Sequence, residues 1–141
     1  MNKAIEELKN YAIWKVSLET IPERLAEIED RMLKLGGGSF DAPVKSGGGN
    51  KREEMLVNCI TEKEELLKTL ERNKARKEYI EKGLSVLNKD EREILETFYV
   101  SNLRHNEAKE KLVTEMGYAE TSIERIRSTA LRKYSLAGFG K

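Results

Sequence analysis

Asn106-Glu107-Ala108-Lys109-Glu110-Lys111-Leu112-Val113-Thr114-Glu115-Met116-Gly117-Tyr118-Ala119-Glu120-Thr121-Ser122-Ile123-Glu124-Arg125-Ile126-Arg127-Ser128-Thr129-Ala130-Leu131-Arg132-Lys133-Tyr134 reads as two helices crossing at a glycine corner. Leu112 and Met116 lie one turn apart on the first helix. Gly117 supplies a left-handed corner that a residue with a side chain adopts only at a cost. Ile123, Ile126 and Ala130, at intervals of three and four, line one face of the second helix, followed by Leu131. Packing that face on the first helix turns Thr121, Arg125, Ser128 and Arg132 outward, polar or basic side chains of the kind that suits a DNA major groove. The spacing is a helix-turn-helix signature, and it makes duplex DNA the leading partner.

Upstream, two long helices are expected. Tyr11, Trp14, Leu18, Ile21, Leu25, Ile28, Met32 and Leu35 follow by alternating steps of three and four, the mark of a coiled-coil seam over residues 1–35. Pro22 interrupts it and predicts a kink, or a fresh helix start with Thr20 near the cap. Gly36 is the expected stop. The second helix, residues 51–83, continues the frame with Leu56, Cys59, Leu66, Leu70, Ile80, Leu84 and Leu87, with polar Lys63, Asn73 and Lys77 on it, and with Ile60 and Leu67 widening the stripe. An antiparallel hairpin and a dimeric coiled coil both satisfy this pattern. Asn73 either sits buried and fixes the register or lies at a solvated edge.

Residues 36–50 hold two glycine triplets around Ser39-Phe40-Asp41-Ala42-Pro43-Val44-Lys45-Ser46, without helical or strand period, and read as a flexible linker. No Gly-Lys-Ser/Thr ending feeds a helix there, so a phosphate-cradling loop is not expected. The compact domain is expected over 84–134. Its first helix opens at Asn88-Lys89-Asp90-Glu91, a cap with a glutamate three residues on, and carries Ile94, Leu95, Phe98 and Tyr99. Gly83 ends or bends the helix before it, Ser101 to His105 form a polar connection, and 135–141 form a flexible tail.

Composition narrows the class. The 141 residues are 36% charged and 38% apolar, with few aromatics and two prolines, which suits long solvated helices around a modest core. The net charge of +1 does not mark a nucleic-acid binder by itself. From Ala119 onward, however, Arg125, Arg127, Arg132, Lys133 and Lys141 stand against Glu120 and Glu124, five basic residues to two acidic, an excess of three. A single cysteine, Cys59, rules out an intramolecular disulfide, and one histidine leaves no zinc-finger spacing. No signal peptide or membrane span is legible, so a soluble protein of the cytoplasm is expected. No nucleophile–base pair, carboxylate dyad or cofactor fingerprint points to an enzyme, a cofactor or a metal.

Leu84 and Leu87, then Asp90-Glu91-Arg92-Glu93-Ile94-Leu95, Met116-Gly117-Tyr118 and Ile123 to Lys133 match in order the pattern of region four of bacterial sigma factors, including the Ala130-Leu131-Arg132-Lys133 ending. The chain from Leu84 onward resembles that module. The whole plan, two heptad helices split by a glycine-rich stretch and then this module, is similar to phage and prophage regulators of the RinA/ArpU type. That resemblance implies an all-α protein, a long helical hairpin or coiled coil plus a helix-turn-helix domain. It also implies activation of late phage genes for packaging and lysis in a bacterial host cell. Four departures stand out. Ala119 occupies the place of a capping Ser, passing the cap to Thr121 or Ser122, and Val113 stands where a smaller residue is usual. Glu120, Thr121 and Arg125 replace the Arg, Glu and Gln with which sigma factors read the promoter, so the housekeeping element is not the expected target. No region-two-like segment for promoter melting accompanies the module.

The candidate DNA-contacting residues are Glu120, Thr121, Ser122, Arg125, Arg127, Ser128, Arg132 and Lys133. Arg125 is assigned to a base edge, Thr121, Ser122 and Ser128 to shorter polar contacts, and Arg127, Arg132 and Lys133 to phosphates. The heptad helices would form a homodimer, act as a lever reaching RNA polymerase, or bury their own stripe within one chain. Two other functions fit the same sequence: a small terminase-like DNA-packaging subunit, and a helical protein–protein adaptor.

Overall fold

The computed structural model describes residues 2–37 and 46–141, with side chains described for 3–36 and 51–141. The fold is all-α. Among the described residues the chain forms α1 (Asn2–Lys9), α2 (Tyr11–Gly37), α3 (Ser46–Ser85), α4 (Lys89–Leu95), a π-helical turn (Glu96–Val100), α5 (His105–Met116) and α6 (Glu120–Phe139). None of these helices is long and apolar enough to cross a membrane.

Two compact units result: residues 16–74, and residues 1–15 together with 75–141. In the first, the heptad frame is satisfied within one chain. Ile21, Ile28 and Cys59 are buried, and Leu18, Leu25, Met32, Leu56, Leu66 and Leu70 are half-buried. Cross-helix contacts run in opposite senses along the chain, which makes the pair antiparallel. The Asn73 side-chain amide donates to Ser17 Oγ at 2.9 Å, Arg24 pairs with Glu62 at 2.7 Å, and Lys63 pairs with Glu29 at 3.2 Å. Asn73 is buried, the register-fixing option of the two open for it. Ile60 and Leu67, by contrast, remain 41% and 42% exposed and do not widen the buried stripe.

Several boundaries differ from expectation. α2 runs through Pro22, and the interruption falls at Asn10, whose side chain donates to the Glu6 carbonyl. The helix continues through Pro22 although the ring removes one backbone donor and crowds the carbonyl one turn back. The glycine stretch is partly helical: α2 ends at Gly37 and α3 already begins at Ser46, so only residues 38–45 of the expected linker lie outside the described residues. α3 likewise passes through Gly83 and stops at Ser85.

The second unit draws in more of the chain than the stretch from Leu84. Ala4, Leu8 and Tyr11 join Ile80, Leu84, Leu95, Ala130, Leu131 and Tyr134 in one buried cluster. A second cluster, Ile94, Phe98, Ala108, Leu112 and Ile123, fills the space among α4, the π-turn, α5 and α6. α4 starts as its sequence dictates: the Asn88 side chain accepts from the Glu91 amide at 2.8 Å, and the Glu91 carboxylate accepts from the Asn88 amide at 3.1 Å. The expected tail is not one. α6 continues to Phe139, with Ser135 and Gly138 buried and Phe139 packed on the first cluster.

Two glycines make this possible. A Cβ on Gly83 would sit 2.6 Å from the Tyr134 ring and 2.8 Å from its carbonyl oxygen, and one on Gly138 would sit 2.6 Å from the Tyr79 carbonyl oxygen. α3 and α6 therefore touch backbone to backbone. Gly138→Ala is expected to destabilise the chain by about 1–3 kcal/mol through overpacking, because its neighbour is backbone and cannot swing aside. Urea denaturation checks it. An unchanged midpoint would mean that the two helices are not held this close.

Candidate nucleic-acid interface

α5 and α6 meet where the sequence places their corner. Gly117 adopts φ 77°, the left-handed region, and its amide donates to the Val113 carbonyl at 3.1 Å. Leu112 and Ile123 are fully buried across the crossing, with Met116, Val113 and Ile126 packed against them. Ala119 is the N-cap of α6 in extended conformation, and its methyl offers no acceptor. The expected transfer of the cap to Thr121 or Ser122 does not occur, because both lie inside the first helical turn, where the backbone is already helical. The leading amides of α6 thus carry no side-chain cap.

Thr121, Arg125, Ser128 and Arg132 are all exposed, as is Glu120, while Ser122 is half-buried. The predicted outward stripe is therefore outward. Arg125 borders a shallow groove shared with Asp90, Glu91, Tyr118 and Thr129, and the Tyr118 hydroxyl donates to Asp90 Oδ2 at 2.8 Å.

Two of the candidates have internal work. The Arg127 guanidinium is half-buried; its Nε and Nη2 donate to Glu124 Oε2 at 3.0 and 2.8 Å, its Nη1 donates to the Tyr99 hydroxyl at 2.8 Å, and it lies 5.5 Å from the centre of the Phe98 ring. Lys133 pairs at 3.0 Å with Glu91, whose side chain is 7% exposed. Arg127 and Lys133 are thus each engaged in an ion pair within the chain. Burial alone would raise the Glu91 carboxyl, but the Asn88 amide and Lys133 outweigh it and hold it below its ordinary value.

Glu124 is the hub that the sequence did not reveal. Besides Arg127 it takes the Lys109 ammonium at 3.1 Å and His105 Nε2 at 2.8 Å, both from α5. His105, at the first position of α5 rather than in a loop, also packs its ring 5.0 Å from that of Phe98. The only local signal was the spacing of Glu124 and Arg127, three apart on a helix. The α5 partners are set by the crossing. Burial pushes the Glu124 carboxyl up, and the hydrogen bonds from Arg127, Lys109 and His105 overcome that and hold it at about 2.

No known protein family's profile, no curated protein and no solved structure matches the chain. The site stands on its own geometry.

Because the folded value of Glu124 lies below that of an unfolded glutamate, about 4.3, its contribution to stability is complete above that value. It is lost as pH falls from there toward 2. Glu124→Gln is therefore expected to unfold at lower urea than the parent at pH 7, with the gap closing as pH is lowered through that window. A gap independent of pH would show that the carboxylate charge is not what binds α5 to α6. Arg127→Ala should also lower stability, by about 1–3 kcal/mol, since it leaves a partly buried carboxylate oxygen without the two N–H groups it accepts from.

Proposed function

We propose that the chain is a sequence-specific, duplex-DNA-binding transcription regulator, with α6 as the helix that enters the major groove. The observation that carries this reading is the continuous exposed row of Thr121, Arg125, Ser128 and Arg132 on the side of α6 away from Leu112. Its basic members are unspent: no ion pair engages Arg125 or Arg132 among the described residues, whereas Arg127 and Lys133 are paired. The resemblance to sigma region four and to RinA/ArpU-type proteins supports control of phage or prophage late genes. The residues assigned to DNA are accordingly narrower than the sequence suggested. Arg125 reads a base edge, Thr121 and Ser128 make shorter polar contacts, Arg132 holds a phosphate, and Glu120 faces the groove at the start of the helix.

The test is binding of the purified chain to the DNA flanking its own coding sequence and to a random duplex, by fluorescence anisotropy over a range of salt. Arg125→Ala should cost about 1–3 kcal/mol on the preferred site and much less on the random one. Arg132→Ala should weaken both alike and flatten the log–log salt slope by about 0.9. Absence of binding to either duplex at low salt would overturn the proposal.

A further inference from the structure

The seam of the hairpin is consumed within one chain, yet α3 carries a second row beside it. Glu53, Ile60, Leu67 and Lys74 recur every seven residues, one position round the helix from Leu66 and Asn73, and all four are exposed. Along the chain the row reads acid, apolar, apolar, base. Reversed end to end it reads base, apolar, apolar, acid. A two-fold axis perpendicular to α3 near residues 63 and 64 therefore sets each Glu53 opposite the partner's Lys74 and each Ile60 opposite the partner's Leu67. The same residues thus supply both halves of an isologous contact, with apolar groups at its centre and opposite charges at its ends.

We propose that this row is a homodimer interface in which α3 of one chain packs antiparallel on α3 of a second copy. The pattern favours a second copy over an unrelated partner because charge and apolar character both match under reversal, a property that binding to another protein does not require. Val57, 58% exposed on the flank of the row, extends the apolar strip. Two features oppose it. Glu64, between Ile60 and Leu67, comes near its own symmetry mate at the axis, and Glu71, one turn on from Leu67, comes near the partner's Val57, so the dimer is weak and its strength is set in part by the Glu64 repulsion. This interface is separate from the DNA-binding row, and it does not depend on the function proposed for α6.

Sedimentation velocity of the full chain, over a hundredfold range of concentration at low salt, reads the association directly. A reversible monomer–dimer equilibrium is expected. Glu53→Lys alone and Lys74→Glu alone should each shift it at least several-fold toward monomer, the two together should restore it, and Glu64→Gln should tighten it. Circular dichroism establishes that each variant is folded. A chain that stays monomeric throughout, including as Glu64→Gln, would overturn the proposal. So would a larger closed oligomer, or a dimer in which the charge reversals are not mutually compensating. DNA binding that fails while the dimer and its charge rescue persist would sink the reading of α6 and leave this interface standing.

Discussion

Tyr134 is the residue around which the larger unit is arranged. Its ring is fully buried, lies against the bare backbone of Gly83, and its hydroxyl donates to the Ala4 carbonyl at 3.1 Å. A buried phenol left without an acceptor would cost roughly 1–3 kcal/mol, so the hydroxyl demands that α1 be seated. Burial, and then the charge of Glu7, holds its ionisation well above the usual tyrosine range, which keeps it a donor at any ordinary pH. One side chain thereby joins the start of the chain, α3 and the last helix. Tyr11 extends the same logic, donating to Glu81 at 3.0 Å from within the same cluster, its own ionisation pushed up to about 12 by burial and by that carboxylate.

With its C-terminal half fixed in this way, α6 needs only its N-terminal half oriented. The Glu124 hub does that. Lys109, Arg127 and the His105 imidazole converge on one carboxylate, and Lys109 and His105 come from α5, so the crossing of the pair is set by hydrogen bonds to that carboxylate at the rim and by Leu112 and Ile123 inside. The π-helical turn contributes directly. Its extra residue per turn brings both Phe98 and Tyr99 toward α6, Phe98 into the second cluster and the Tyr99 hydroxyl onto Arg127. Side chains that the sequence offers as phosphate ligands thus become the means by which the others are held in place.

The sequence made the helical periodicities and the corners legible, since these depend on neighbours three or four residues away. The Asn88–Glu91 capping box, the left-handed Gly117, the buried Leu112, Ile123 and Ala130 and the exposed row on α6 all follow from local rules. What stayed hidden depends on contacts distant in the chain. Ala4 and Leu8 extend the seam pattern, but their burial needs α6 beneath them. Arg127 and Lys133 look no different from Arg125 and Arg132 until Glu124 and Glu91 are placed opposite them. The helical continuation to Phe139 was masked by small residues, Ser135 and Gly138, which look like a tail and prove to be the groove into which α3 fits. Small residues carry opposite meanings in a loop and in a close helix crossing, and only the partner helix distinguishes them.

Pairing its basic residues internally has a consequence for how α6 would behave on DNA. Of the charges on its outer half, Arg125 and Arg132 remain available, with Glu120 exposed at the entrance to the helix and Asp90 beside the groove that Arg125 borders. Sequence-independent affinity scales with the number of phosphates neutralised, and two cations facing two acids provide little of it. Discrimination then has to come from short polar contacts with base edges, where a carboxylate is a penalty on most sequences and an acceptor for a cytosine amino group on the right one. A monomer of this composition would bind random duplex feebly and hold its site only with added contacts. On the proposed reading, a surface of this kind would trade general affinity for selectivity, because Arg127 and Lys133 are paired within the fold.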